Sequence, residues 1–231
     1  MKTLTVLAIF ILSQAAMAAD KGFIKIFDGK SLKGWAVVPK NRTADWSVEK
    51  GLLVGHTKGK HSDLIYKDRK LRDYELKLTY RLRTKGNSGI HIRGRLGESK
   101  THAVKGYHAD FGHVGIGPQV LGAWDFHGVN RGSYLVRRGL QVRIDKAGKK
   151  HFTKIKNALT ASDVKPRGKQ WNKVHVIVKG YTMSFSINGK VASTVIDNEP
   201  AKRIPDGVIG LQVHGGPAMR IEFREVLLKK K

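Results

Sequence analysis

The 231-residue chain contains no cysteine, so whatever fold it adopts is held without disulfides. Acidic side chains are also scarce, with 18 Asp and Glu against 44 Lys and Arg and a net charge of +26. Helical periodicity is nearly missing; only Ile155 to Val164 offers a turn or two, which Pro166 would end. There is no repeat of fixed period, no low-complexity stretch and no linker rich in Pro or Ser, which argues for one domain. Past the N-terminus no apolar run reaches the ~20 residues a membrane-spanning helix needs, so no membrane span is expected.

The first residues carry Lys2, an apolar run from Leu4 to Leu12, and the small-x-small sequence Ala16-Met17-Ala18. This is the pattern of a secretory leader cut after Ala18, which implies a periplasmic or secreted protein and a mature domain over residues 19–231. No Cys follows the cut, so a lipid anchor of the lipoprotein type is excluded. The surplus of basic residues is spread through nearly every segment. It serves solubility by self-repulsion, or it marks a polyanionic environment such as an acidic or sulfated glycan.

Alternation of period two dominates what is present. Tyr74 to Leu82 is a long half-buried strand, and Val174–Lys179 and Met183–Ile187 are antiparallel neighbours. Asn188-Gly189 is a type I′ hairpin turn leading into Lys190-Val191-Ala192. Gly207 to His214 and Met219 to Leu228 read as a final pair of strands, and Gly112 to Lys154 as long loops over a sheet face. Short strands punctuated by turns imply an all-β sandwich of two antiparallel sheets.

Two strands, Ser88-Gly89-Ile90-His91-Ile92-Arg93 and Gly210-Leu211-Gln212-Val213-His214, combine an aliphatic face with a face of imidazole, guanidinium and amide. Tyr107-His108-Ala109-Asp110-Phe111 is a third of the same kind. If the three share a sheet, His91, Arg93, His108, Asp110, Gln212 and His214 converge on one face, and Glu75 and Arg81 would join them. For any one strand a solvated outer face is the simpler account; three of one character favour a site. Glu75 with Asp110 would resemble the carboxylate pair of a glycosidase, although sequence fixes no separation. Ser88 lies in no nucleophile elbow, and there is no zinc-protease or EF-hand motif. No cofactor is expected, although His108-x-Asp110-x-x-His113 leaves a divalent metal open. Trp46 and Trp171 begin strands and suit packing, whereas Trp124, in a polar segment, suits stacking on a sugar ring.

Taken in order, Phe27-Asp28-Gly29-Lys30-Ser31-Leu32-Lys33-Gly34-Trp35, Trp46 to Gly55, Asp73-Tyr74-Glu75-Leu76, Asn87-Ser88-Gly89-Ile90 with Arg93, Gly106-Tyr107, Trp171-Asn172, Asn188-Gly189 and Ile209 to Gly216 resemble the 3-keto-disaccharide hydrolase domain family. The resemblance covers nearly the whole mature chain. It implies a concanavalin-like jelly roll acting on glycosides oxidised to a ketone at carbon 3. That ketone acidifies the carbon-2 hydrogen, so a base can form an enediolate, the carbon-1 group leaves, and water can add. On this reading Arg93 and Asn87 anchor the sugar or its oxyanion. His108 or Asp110 is the base, His214 the acid, and Gln212 orients a hydroxyl. His91, Glu75 and Trp124 complete the substrate site. The competing expectation is a non-catalytic module for acidic or sulfated glycans, whose capture would weaken steeply with salt. Specific nucleic-acid binding has charge in its favour and no motif, and export argues against it.

Overall fold

A computed structural model describes residues 21–97, 103–112, 120–128 and 136–231. The proposed leader, residues 1–18, and His113 lie outside the described residues. Sixteen strands among the described residues form two sheets packed face to face around one core. The larger sheet runs β11 (Lys150–Lys154), β10 (Leu140–Ile144), β14 (Lys190–Asp197), β13 (Thr182–Ile187), β12 (Asn172–Lys179), β6 (Tyr74–Leu82), β16 (Met219–Lys230), β4 (Leu52–Thr57) and β3 (Trp46–Glu49). A short β1 (Ile24–Lys25) also pairs with β16, making this sheet ten-stranded. The six-stranded sheet runs β2 (Trp35–Val38), β5 (Ser62–Tyr66), β15 (Val208–Val213), β7 (Gly89–Leu96), β8 (Val104–Asp110) and β9 (Trp124–His127).

Alternation explains most of this. Leu76, Leu78 and Tyr80 of β6, Val174, Val176 and Val178 of β12, and Phe185 of β13 face the core, as do Ile90, Ile92, Tyr107, Leu211 and Val213 from the other sheet. All are at most 2% exposed. At the β13–β14 turn Asn188 and Gly189 have φ of 50° and 82°, the left-handed pair a type I′ hairpin requires.

The structure departs from the sequence reading in several places. β15 and β16 do not pair with each other but belong to opposite sheets, because Gly215-Gly216-Pro217 carries the chain across the sandwich. The region 112–154 holds three strands, β9 to β11, and one of them, β10, runs parallel to β14, so the larger sheet is mixed. The Leu140, Val142, Ile144 alternation was present to be read. Between Ile155 and Val164 the helical content is a single 3₁₀ turn, Ala161–Asp163.

Candidate active site

The polar residues that alternate with the core aliphatics gather on the far face of the six-stranded sheet. His91 on β7 is opposite His108 on β8, and His108 is opposite Asp125 on β9. Gly210 of β15 stands beside His91, and Gln212 beside Asp63 of β5. Two strand glycines make the cluster possible by leaving out a side chain. A Cβ at Gly89 would lie 2.3 Å from His108 Cε1 and 2.6 Å from His108 Nε2, so the His108 ring occupies that space. A Cβ at Gly210 would meet His91 Cδ2 at 3.2 Å, and across this gap His91 reaches the next strand but one. The three imidazoles then tile one another, with ring centroids 4.6 Å apart for His91 and His108 and 4.4 Å for His108 and His127.

Asp63 accepts hydrogen bonds of 2.9 Å from Nε2 of His91 and 2.9 Å from Nε2 of His61, one to each carboxylate oxygen. Burial opposes its ionisation, but the two imidazoles outweigh that and hold its carboxyl well below the usual range. Burial likewise opposes charge on His61, yet its bond to Asp63 leaves its pKa raised. Burial lowers that of His91, which is therefore neutral, bonded to Asp63 through Nε2 and left with an unpartnered Nδ1.

The second pair behaves in the opposite way. His108 Nδ1 lies 3.2 Å from Asp110 Oδ2, and both residues are 1% exposed. Burial and then the charge of Asp125 push the Asp110 carboxyl well above its ordinary value, partly offset by the Asn87 amide. Burial and then the neighbouring imidazoles push His108 well below its own. Both shifts favour the uncharged form of each group, and the short contact between them is a path along which a proton can pass. His108 Nε2 is buried without a hydrogen-bond partner over Gly89, and Gln212 Oε1 is likewise unpartnered. Each is a buried polar atom whose hydrogen-bonding capacity the protein itself leaves unused.

Of the residues expected at the site, His91, His108, Asp110 and Gln212 do converge. His214 lies at the rim, half-buried, its ring 6.1 Å from His61 and its Nδ1 bonded to the Gly215 carbonyl. Asn87 is spent on the protein itself. Its Nδ2 donates to Asp110 Oδ1 at 3.0 Å and its Oδ1 accepts from the Ser88 amide, so it positions Asp110.

Three expectations fail. Arg93 has φ of 52° at an irregularity in the pairing of β7 with β8, which turns its side chain away from His91. Its guanidinium donates to the carbonyls of Arg72, Ile204 and Gly180 and to Asp73, an arrangement that ties structure together. Glu75 and Arg81 face outward from the other sheet, where Glu75 bonds His175 and Lys231 and Arg81 bonds Glu222. Trp124 is fully buried on β9, donating to the Ser193 carbonyl at 3.3 Å and packed edge-on against Phe185, so no sugar can stack on it. The site residues that were missed are His61 and Asp63, together with Asp125 and His127. Trp124-Asp125-Phe126-His127 has the same apolar-polar alternation as the strands that were read, whereas His61-Ser62-Asp63-Leu64-Ile65 has none and offered no such signal. Among the described residues no three His, Asp or Glu side chains are arranged to hold one metal ion.

Residues 22–229 match the 3-keto-alpha-glucoside-1,2-lyase-like domain. The chain belongs to that family. A 3-keto-disaccharide hydrolase of Bacteroides thetaiotaomicron is 34% identical over 85 residues, a match spanning 33% of this chain and 29% of that protein. In structure the chain is similar to a candidate glycosyl hydrolase of Parabacteroides distasonis, with a TM-score of 0.60, 17% identity, and coverage of 93% of this chain and 96% of that one. It is also similar to the carbohydrate-binding module CBM66 of Bacillus subtilis, with a TM-score of 0.52, 12% identity, and coverage of 85% and 96%. At these identities the two structures speak for the jelly-roll sandwich, as the sequence resemblance implied.

Proposed function

We propose that this protein cleaves 3-keto-glycosides by elimination, with His108 and Asp110 moving the proton. The supporting observation is the buried His108–Asp110 pair, whose one unpartnered nitrogen, His108 Nε2, opens over Gly89. In this reading the carbon-2 hydrogen of the sugar is removed as a proton at His108 Nε2, with the Nδ1–H of the ring directed at Asp110 Oδ2. The C–H electron pair delocalises onto the carbon-3 oxygen as an enolate. It then returns to form the carbon-1 to carbon-2 double bond, expelling the carbon-1 oxygen, which takes back the same proton. Water adding to carbon 1 gives the hydrolysed sugar. A carboxyl pushed up and an imidazole pushed down approach each other in proton affinity, which suits a group that serves first as base and then as acid. Asn87 fixes Asp110, Asp63 fixes the His91 ring, and the free Oε1 of Gln212 accepts a sugar hydroxyl. The protein does this work outside the cytoplasm, after loss of residues 1–18; a purified native protein beginning at Ala19 checks that part.

The test is to incubate the protein with a 3-keto-glucoside in deuterated buffer and follow it by proton NMR. Loss of the carbon-2 signal with release of the aglycone is expected. Several 3-keto-glycosides left intact and unexchanged would sink the assignment.

A further inference from the structure

A second site lies on the opposite side of the molecule. The outer surface of the ten-stranded sheet carries a groove of about 630 Å³, within the range of roughly 300–1,000 Å³ typical of ligand sites. Lys25 of β1, Lys77 of β6 and Lys173 of β12 line it, with His175, Glu225 and Phe23. Among the described residues neither Lys25 nor Lys173 forms an ion pair, so their charge is available to a ligand. The Lys77 ammonium sits 4.4 Å from the Phe23 ring centroid and that of Lys229 5.9 Å, a contact that gathers cations along one wall.

We propose that this groove binds a short stretch of an anionic polysaccharide, bearing sulfate or carboxylate groups, and holds it apart from the His108 site. The proposal builds on the carbohydrate reading above. Three lysines supply point charges for anionic substituents, while Glu225 and His175 supply hydrogen-bonding groups for sugar hydroxyls. A nucleic acid fits less well. The Phe23 ring is already covered by an ammonium, so it offers no clear face for the base stacking that stabilises single-stranded nucleic acid by ~1–3 kcal/mol per base.

The test titrates the protein with dextran sulfate, with neutral dextran and with a single-stranded oligonucleotide, by calorimetry at several salt concentrations. The groove variant is Lys25→Gln/Lys173→Gln, and the control is Lys146→Gln/Lys156→Gln, which removes two exposed charges elsewhere. Dextran sulfate should bind where dextran does not, and the groove variant should weaken it at least tenfold and the control under twofold. The groove variant should also flatten the dependence of log affinity on log salt, since two cations no longer take part. Equal losses in both variants would show capture by overall charge and overturn the proposal. So would an oligonucleotide that binds as tightly and is weakened as much by the groove variant. Turnover of a small 3-keto-glucoside should be the same in all three proteins, so failure of the groove and failure of the catalytic assignment are read separately.

Discussion

The outer faces of the two sheets are built from the same alternation and have opposite characters. On the six-stranded sheet, Asp63, His91, His108 and Asp110 are each at most 1% exposed although they point away from the common core. On the ten-stranded sheet, the side chains of Arg220 and Glu49 are 32% and 46% exposed and pair at 2.8 Å in water. Burial decides the difference. In the first face desolvation pushes the Asp110 carboxyl up and the His91 and His108 imidazoles down, and only at Asp63 and His61 does a close partner outweigh it. In the second, solvent screens the pairs and each contributes ~0–1 kcal/mol. Strand glycines mark the first face, because imidazoles lie flat only where a neighbour has no side chain. The second has lysine and arginine stems instead, which cover the sheet and keep their charge in water.

The largest effect that would break this comparison is on turnover. His108→Gln keeps a polar side chain but loses the exchangeable proton, and should lower kcat by roughly 10²–10⁴, the usual worth of general acid–base catalysis. Lys173→Gln, on the opposite sheet, should leave kcat within about twofold. A kinetic assay on a small 3-keto-glucoside reads both. If His108→Gln turns over normally, the buried pair is structural and the two faces differ only in solvation.

Next in size is Arg93. It is 1% exposed and satisfies three backbone carbonyls, so Arg93→Ala strands those acceptors in the interior and should destabilise the fold by ~3 kcal/mol. Turnover per folded molecule should hardly change, since the guanidinium points away from His91. Denaturant unfolding measured alongside kcat decides it. A thousandfold loss of kcat at unchanged stability would put Arg93 back with the histidines and undo the boundary drawn between site and scaffold.

Arg93 also shows what a sequence conceals. Period-two alternation is local, so β6, β12, β13, the Asn188-Gly189 turn and the convergence of His91, His108 and Gln212 could all be read from residue order. A bulge reverses the alternation from one residue onward, and nothing in Ile92-Arg93-Gly94 announced that Arg93 would adopt a positive φ. Which sheet a strand joins is non-local, and for that reason Glu75 was grouped with residues on the other side of the sandwich. β15 and β16 were paired by proximity in sequence when the turn between them crosses the core. Trp124 misled because polar neighbours suggested a loop, whereas Trp124-Asp125-Phe126-His127 is a strand with its indole inward. The same alternation would have brought Asp125 and His127 into the site, but not Asp63, whose strand Ser62-Asp63-Leu64-Ile65 does not alternate.

The smallest effect separates the two faces by the variable each responds to. His91 and His108 have folded pKa values below the unfolded ~6.5, so the stability they contribute is complete above that pH and is lost as pH falls below it. While one of these rings withholds a proton that the unfolded chain accepts, the slope is at most ~1.4 kcal/mol per pH unit. Asp110 has the opposite sign. Its raised pKa means stability is complete below the unfolded ~3.9 and declines as pH rises toward the folded value, so its loss is already under way where the histidines begin to matter. Asp63 is depressed and adds a further loss only under stronger acid. Melting temperature should therefore fall between pH 6.5 and 5 by an amount that 0.5 M salt barely alters, and His108→Gln should flatten that fall. Glu49→Gln should lower the melting point by an increment that the same salt erases, at every pH in that range. A pH dependence that salt removes, or one that His108→Gln leaves intact, would mean that the histidine face is hydrated like its counterpart.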